Sequence, residues 1–212
     1  MTLAGAVLLG YLLGAIPFGV IVGRLVGGPD LREHGSQRTG ATNALRTLGA
    51  PAAALVFLLD VAKGVAAVLI ARWIFSTDPL VDWAAALAGF TAIVGHNWSI
   101  FIRFTGGRGV ATSAGALGAM TPWTILVLAP IALGLAWRTR FVSLGSIVGS
   151  LLAPVVTAIL WLVDLASVPA IVYAAASGLL VTAAHADNIA RLRAGTERRI
   201  GQKEAVNTHG PG

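Results

Sequence analysis

The sequence predicts an all-α integral membrane protein: a compact bundle of seven transmembrane helices, some of them short, with the N-terminus outside and the C-terminus in the cytoplasm. Of the 212 residues, 56% are hydrophobic and only 11% are charged, and the mean hydropathy is +0.81. A soluble domain of this length needs far more charge on its surface. Apolar runs near the length of a bilayer crossing recur along the chain, and the basic residues cluster in the polar segments between them.

The first half of the chain alternates apolar and polar segments. Its predicted crossings are residues 2–26, 51–75 and 83–94. The first run has neither a basic leader nor a clear small-residue cleavage site, so we expect a retained helix rather than a signal peptide. The second run carries Asp60 and Lys63 three positions apart, on one helical face.

The second half contains an apolar stretch, residues 110–136, that is interrupted at Thr121 and Pro122. It is followed by the basic turn "WRTR", by crossings over 142–163 and 168–184, and by a basic tail from Arg191. We expect one membrane-embedded domain over residues 1–212 whose last residues, from about 200 to 212, form a flexible cytoplasmic tail.

The positive-inside rule sets the topology. The basic clusters are Arg24, Arg32, Arg38 and Arg46; Arg103 and Arg108; Arg138 and Arg140; and Arg191, Arg193, Arg198, Arg199 and Lys203. All four clusters reach the cytoplasmic face only if residues 110–136 make two passes that turn at Thr121–Pro122. The pass over 110–120 is too short to cross about 30 Å unaided, so it must be a helix packed inside the bundle. The polar segments then meet on one face of the membrane.

The first polar block is "EHGSQRTGATNALRTLG", residues 33–49. Its glycines permit a backbone whose N–H groups bind an anion. Thr42 or Asn43 is predicted to cap the short helix that follows, and Asn43 and Arg46 share a face of it. The alternative is an ordinary capped interfacial helix whose arginines serve only topology.

The second polar block is "GHNWSIFIRFTGGRGVATSAG", residues 95–115. Gly106, Gly107 and Gly109 surround Arg108 directly before an apolar helix, and helix N–H groups with a guanidinium form a phosphate site. The alternative is a flexible turn with one topology-setting arginine. His96 is a further candidate for the site, as a catalytic or substrate-binding residue, although a histidine at a helix end is more often structural.

The third polar block is "HADNIARLRAGTERR", residues 185–199, in which His185 and Asn188 follow helical spacing. Two polar side chains at the end of an apolar helix need polar partners, or they mark a helix that is simply leaving the membrane. Ser143 stands at the start of another helix, where by itself it is predicted to be a cap. Asp187 and Glu197 are predicted to be solvated or paired with nearby arginines rather than catalytic.

Several classes of chemistry are excluded. The chain has no cysteine, so it forms no disulfide and has no thiol nucleophile. It lacks H-E-x-x-H, G-x-S-x-G, the H-x-x-x-x-D acyltransferase box and carboxylate pairs suited to two metals, so we expect no metal and no cofactor. No contiguous basic face exists for nucleic acid. Such a site works on a substrate that is already activated, by positioning and positive charge.

The three blocks together resemble the integral-membrane acyl-phosphate:glycerol-3-phosphate acyltransferase family of bacteria. That family's loops read approximately G-S-x-N-x-G-A-T-N-x-x-R, G-H-x-x-P-x-F-x-x-F-K-G-G-K-G-V-A-T and H-x-x-N-I-x-R-L-x-x-G-x-E. Here they stand as "GSQRTGATNALR", "GHNWSIFIRFTGGRGVAT" and "HADNIARLRAGTE". Their order and spacing match over nearly the whole chain.

The resemblance implies a small helical enzyme of the bacterial inner membrane, with its active site on the cytoplasmic side. It implies transfer of a fatty acyl group from acyl phosphate to the 1-hydroxyl of glycerol 3-phosphate, at a membrane-lipid interface. The implied catalytic residues are Arg46, Arg108, His185 and Asn188. The implied substrate-binding residues are Ser36, Thr42, Asn43, Gly106, Gly107, Gly109 and Ser143. The proton acceptor, His185 or the leaving phosphate, and the oligomeric state stay open.

This sequence departs from the family pattern at several positions. Arg38 replaces an asparagine, Trp98 and Ser99 replace an aromatic–proline pair, and Thr105 and Arg108 replace two lysines. Arginine keeps the charge and adds bidentate donors, with a different geometry. Two alternatives therefore remain: a membrane transporter of an organic phosphate, which would also use broken helices and glycine loops, and a non-catalytic lipid-binding relative.

Overall fold

The computed structural model describes residues 2–201 and consists there of helices and connecting loops. The helices are α1 (Leu3–Ala15), α2 (Phe18–Leu25), α3 (Ala41–Thr47), α4 (Ala50–Ile74), α5 (Val81–Asn97), α6 (Val110–Met120), α7 (Pro122–Thr139), α8 (Val142–Trp161), α9 (Val168–Ala184) and α10 (Ala186–Arg193). A short 3-10 helix covers Ile100–Ile102. Of the tail predicted to be flexible, residues 202–212 lie outside the described residues.

Four spans within residues 2–201 are long and apolar enough to cross a membrane. They are Leu3–Leu25, which combines α1 and α2, then α4, α7 and α8. A fifth is α9 with α10, which meet at a bend of 59°. The helix α6 is apolar but short, and α5, with 17 residues, lies between α1, α4 and α9. The all-α membrane fold is therefore confirmed, whereas the count of seven crossings stays a prediction.

The first predicted crossing is not one continuous helix. It is interrupted at Ile16 and Pro17, because proline lacks an N–H and disfavours helical geometry in the residue before it. The carbonyl of Ile16 accepts hydrogen bonds from the backbone N–H of Phe18 at 3.1 Å and from Lys63 Nζ at 3.1 Å. A buried lysine thus satisfies the acceptor that the break releases.

The predicted interruption at Thr121 and Pro122 is present, with α6 ending at Met120 and α7 beginning at Pro122. Thr121 Oγ1 lies 3.3 Å from Thr124 Oγ1, which lies 3.2 Å from Thr157 Oγ1 on α8. These hydroxyl contacts satisfy polar groups in the apolar interior and hold the start of α7 against α8.

Small residues let the central helices approach closely. A β-carbon at Gly10 or Gly14 of α1 would overlap the backbone of α5, and one at Gly95 of α5 would overlap α1. Close backbone contact through small residues is typical of helix packing in membranes, where water does not drive association. This packing brings the C-terminal ends of α1 and α5 to the same end of the bundle.

The polar segments meet at that end. The N–H of Thr39, in the first polar block, donates to the carbonyl of Gly106 in the second. Arg108 of the second block forms a salt bridge with Asp187 of the third at 2.7 Å. The N–H of Ile200 donates to the carbonyl of Arg140 in the "WRTR" turn at 2.9 Å. The opposite end of the bundle carries the pair Arg72–Asp82, 3.0 Å apart.

Candidate active site

A cavity of about 260 Å³ opens where the polar segments meet. Among the predicted site residues, those that line it are Ser36, Thr42, Asn43, Arg46, His96, Arg108, Gly109, Ser143, His185 and Asn188. Gly106 and Gly107 do not line it. Three blocks far apart in sequence therefore contribute to one site.

A second, smaller cavity of about 160 Å³ shares a wall with the first. The residues common to both are Ser36, Arg46, Arg108, Asn188 and Glu197. The smaller cavity is otherwise lined by polar and charged residues, among them Arg191 and Arg198. The shared wall places two guanidinium groups, Arg46 and Arg108, between two adjoining chambers.

The larger cavity continues between hydrophobic side chains. Phe57 of α4 stands on one side, and Ala132, Leu133 and Ala136 of α7 stand on the other. Phe57 and Leu133 are both exposed on the outer surface of the bundle, at 48% and 69%. This chamber therefore joins a charged interior to the apolar exterior.

The prediction that Thr42 or Asn43 caps α3 is wrong, and the side chain of Asn43 instead holds the first polar block together. The residue before α3 is Gly40, and no side chain caps that helix. Asn43 is 2% exposed, and its Nδ2 donates to the carbonyls of Leu31, His34 and Arg38, at 2.9 to 3.0 Å. Its Oδ1 accepts from the N–H of Ser36 at 2.9 Å. One buried amide thus fixes the loop that carries Ser36.

Gly106 and Gly107 of the second block allow close packing against α5 and do not form an open phosphate-binding loop. A β-carbon at Gly106 would overlap the carbonyls of His96 and Asn97, and one at Gly107 would overlap the His96 ring. The N–H of Gly107 already donates to the His96 carbonyl at 3.1 Å. Gly109 has φ +79°, which favours glycine, and it stands directly before α6. Of the glycine loop, Arg108, Gly109 and the start of α6 face the cavity.

Arg108 joins the glycine loop to α10. Its side chain is 14% exposed, it pairs with Asp187, and its Nε has no hydrogen-bond partner among residues 2–201. Burial lowers the pKa of the Arg108 guanidinium, and Asp187 opposes that shift. Asp187 also accepts hydrogen bonds from both terminal nitrogens of Arg191 at 3.2 Å. A positive group with an unused N–H thus faces the cavity.

Glu197 has a larger role in the site than the sequence predicts. It pairs with Arg191, as predicted, at 2.8 Å, but it is 7% exposed and also accepts from Ser143 Oγ at 2.7 Å and Asn188 Nδ2 at 2.6 Å. Burial favours the protonated acid, but these three donors hold the pKa of Glu197 below its usual range. The prediction that Ser143 caps α8 is therefore wrong. Ser143 lies within the first turn of α8 and donates a hydrogen bond to Glu197.

Glu197 also sets the orientation of Asn188. Because Asn188 Nδ2 donates to the carboxylate, its Oδ1 is buried without a partner among residues 2–201. A buried acceptor without a partner is costly and is available to a ligand hydroxyl.

His185 lies at the bend between α9 and α10, where it is 3% exposed. Its Nδ1 lies 2.7 Å from the carbonyl of Val181 and must carry the proton of that hydrogen bond, which leaves Nε2 as an acceptor. Because the Val181 carbonyl holds Nδ1–H, the imidazole can offer Nε2 to a hydroxyl donor in the cavity.

The chain is similar to known glycerol-3-phosphate acyltransferases over nearly its whole length. The family described as glycerol-3-phosphate acyltransferase matches residues 4–195. A glycerol-3-phosphate acyltransferase 3 of Dehalococcoides mccartyi is 42% identical over 205 residues, which cover 93% of this chain and 95% of the relative. A glycerol-3-phosphate acyltransferase of Synechococcus sp. (strain JA-2-3B'a(2-13)) is 47% identical over 199 residues, covering 93% and 94% of the two chains.

Two solved structures are similar over most of their length. Both are crystal structures of PlsY (YgiH), an integral membrane glycerol 3-phosphate acyltransferase, one in the glycerol 3-phosphate form and one in the lysophosphatidic acid form. The first is 36% identical with a TM-score of 0.84, and the second is 35% identical with a TM-score of 0.82. Each comparison covers 95% of this chain and 96% of the other.

Proposed function

The chain belongs to the glycerol-3-phosphate acyltransferase family, whose members make lysophosphatidic acid for phospholipid synthesis, and we propose that its acyl donor is a fatty acyl phosphate and its acceptor the 1-hydroxyl of glycerol 3-phosphate. One observation carries the proposal. Arg46, Arg108 and Asn188, from three separate blocks, line one pair of adjoining cavities, of which one is polar and the other continues to the apolar surface. That arrangement fits two phosphorylated reactants, one of which has an alkyl chain.

Glycerol 3-phosphate occupies the polar chamber in this proposal. Its phosphate is held by Arg46 and Arg108, since guanidinium groups recognise phosphate through paired N–H donors. The free Oδ1 of Asn188 and the Nε2 of His185 accept hydrogen bonds from the glycerol hydroxyls. Ser36, placed by Asn43, contributes its polar groups to the same wall.

The acyl phosphate occupies the larger chamber. Its phosphate lies near Arg108, Gly109 and the N-terminus of α6, where helix N–H groups favour an anion. Its alkyl chain leaves between Phe57 and Leu133 toward the lipid. The mixed anhydride thereby meets a soluble acceptor without leaving the membrane.

The reaction needs no covalent enzyme intermediate, because an acyl phosphate is already activated. The hydroxyl oxygen attacks the carbonyl carbon, the bond from that carbon to the phosphate oxygen breaks, and inorganic phosphate leaves. The departing phosphate gains charge as its bond to the carbonyl carbon breaks, so its oxygens become the stronger proton acceptors in the site. The phosphate therefore takes the proton, and His185 orients the hydroxyl by accepting its hydrogen bond.

The active site lies on the cytoplasmic side of a seven-crossing bundle in the inner membrane, with the N-terminus outside. Within residues 2–201, arginines of all four basic clusters meet at one end of the bundle, which supports this orientation because basic residues favour the cytoplasmic face. Labelling of single cysteines placed at positions 38, 103 and 140 with an impermeant reagent tests it in intact cells. Labelling from outside at any of the three contradicts the orientation.

The donor is tested by supplying purified protein with palmitoyl phosphate and glycerol 3-phosphate, and by following phosphate and lysophosphatidic acid together. We expect equal amounts of both products, and none when palmitoyl-CoA replaces the phosphate donor. Arg108→Gln should reduce kcat/KM by about a hundredfold. The matched control Arg103→Gln alters an exposed arginine outside both cavities and should keep normal turnover. Transfer from palmitoyl-CoA alone contradicts the proposed donor.

A further inference from the structure

A cluster of ionisable side chains lies behind the glycine loop, where two of its members, Asp60 and His96, also line the larger chamber. Lys63 Nζ forms a salt bridge with Asp60 Oδ1 at 2.8 Å, and His96 Nδ1 lies 3.4 Å from the same oxygen. The three side chains are 2% to 5% exposed. Removing charges from water costs several kcal/mol per ion, and apolar residues would pack there at lower cost. Ionisable groups at such depth therefore call for a role beyond packing.

The cluster connects elements that surround the site. Asp60 and Lys63 lie on α4 and His96 on α5, and Lys63 reaches the carbonyl of Ile16 at the break between α1 and α2. Its Nζ also lies 5.7 Å from the centre of the Phe18 ring. The ammonium group is thereby held from three directions, which fixes the carboxylate beside it.

His96 transmits this fixed geometry to the glycine loop. Its ring lies so close to Gly107 that a β-carbon there would overlap Nε2, Cε1 and Cδ2. Its carbonyl accepts from the N–H of Gly107, and Gly106 rests against the same backbone. Arg108 follows directly in the loop, so a rotated His96 ring moves the backbone that carries this guanidinium.

We propose that Asp60 is a positioning residue for the reaction: with Lys63 it orients the His96 ring against Gly107 and so places Arg108 between the two chambers. The proposal rests on the proposed function, since it takes Arg108 as the group that binds phosphate. In this proposal His96, which the sequence predicts to bind substrate, instead supports the glycine loop.

The test is a double-mutant cycle on the full-length protein in lipid micelles. The variants are Asp60→Asn, His96→Gln and the two combined, measured for KM of glycerol 3-phosphate and for kcat, with thermal unfolding recorded for each. Asp60→Asn keeps the shape of the side chain and removes its charge. It should raise the KM by about tenfold, because a displaced Arg108 holds phosphate less well, with kcat changed by less than about threefold.

The combined variant decides whether Asp60 acts through His96. If it does, adding Asp60→Asn to His96→Gln changes the KM by less than about twofold, whereas independent residues give effects that multiply. The matched control is Asp82→Asn, which breaks the Arg72–Asp82 pair at the opposite end of the bundle and should leave the KM normal. Multiplied effects, or a normal KM in Asp60→Asn, overturn the proposal.

A further variant covers the case in which Asp60→Asn does not fold because Lys63 is left buried without its partner. Asp60→Asn with Lys63→Met removes both charges and should restore stability while the KM stays raised. A stable variant of this kind with a normal KM shows a merely structural pair and overturns the proposal. Failure of the proposed function is distinct, because the wild-type protein then forms no lysophosphatidic acid from acyl phosphate.

Discussion

Two substitutions of Glu197 distinguish its role in orienting Asn188 from its contribution to the stability of the fold. Glu197→Ala removes the acceptor of hydrogen bonds from Ser143, Asn188 and Arg191. A buried donor left without an acceptor costs about 1–3 kcal/mol. Because Arg191 is one-third exposed, water replaces much of its lost contact, and the buried donors dominate. We expect a loss of about 2–4 kcal/mol in stability and about a hundredfold in kcat/KM, since Asn188 is no longer oriented.

Glu197→Gln is the matched comparison. Its amide oxygen still accepts from Ser143 and Asn188, and only the contact with Arg191 is lost, at a cost of about 1 kcal/mol. Its kcat/KM should stay within about tenfold of the wild-type value. Both variants are assayed for phosphate release and thermal unfolding in the same micelles. A folded Glu197→Ala protein that turns over as fast as Glu197→Gln would show that Glu197 does not orient Asn188 for the reaction.

Other expectations follow from single contacts. Asn43→Ala removes four hydrogen bonds that fix the first loop, so the unfolding midpoint should fall by several degrees and the KM for glycerol 3-phosphate should rise; an unchanged KM contradicts this. Gly107→Ala forces its β-carbon into His96 and should reduce kcat/KM at least tenfold, whereas Gly134→Ala, with open space at its β-carbon, should have no effect on turnover.

The elements that sequence predicted well are those in which two independent signals agree. The turn at Thr121 and Pro122 was required both by proline and by the sidedness of the arginine clusters, and α6 and α7 meet there. The break at Pro17 was missed because the residues around it are apolar and the run reads as continuous. The acceptor that this break exposes is satisfied by Lys63, a residue 47 positions away, which no local pattern indicates.

For the site too, local sequence patterns predicted which segments take part but not the contacts of each side chain. The three blocks are predicted from glycine, arginine and asparagine patterns, and most of the site residues predicted in them line one cavity. The functions of individual polar side chains were less predictable, because Asn43 binds the preceding loop instead of capping a helix. Glu197 stands in an arginine-rich tail, and only the folding of that tail onto α8 and α10 buries it beside Ser143. Burial of this kind depends on tertiary contacts that local sequence does not encode.

The most direct test of the shared two-chamber site is a structure of the protein with glycerol 3-phosphate and a non-hydrolysable acyl phosphonate bound together. We expect Arg108 to lie within hydrogen-bond distance of both the phosphate and the phosphonate, Asn188 Oδ1 to accept from a glycerol hydroxyl, and the alkyl chain to pass between Phe57 and Leu133. A complex in which the two phosphorus groups occupy separate sites without a common arginine would contradict this expectation.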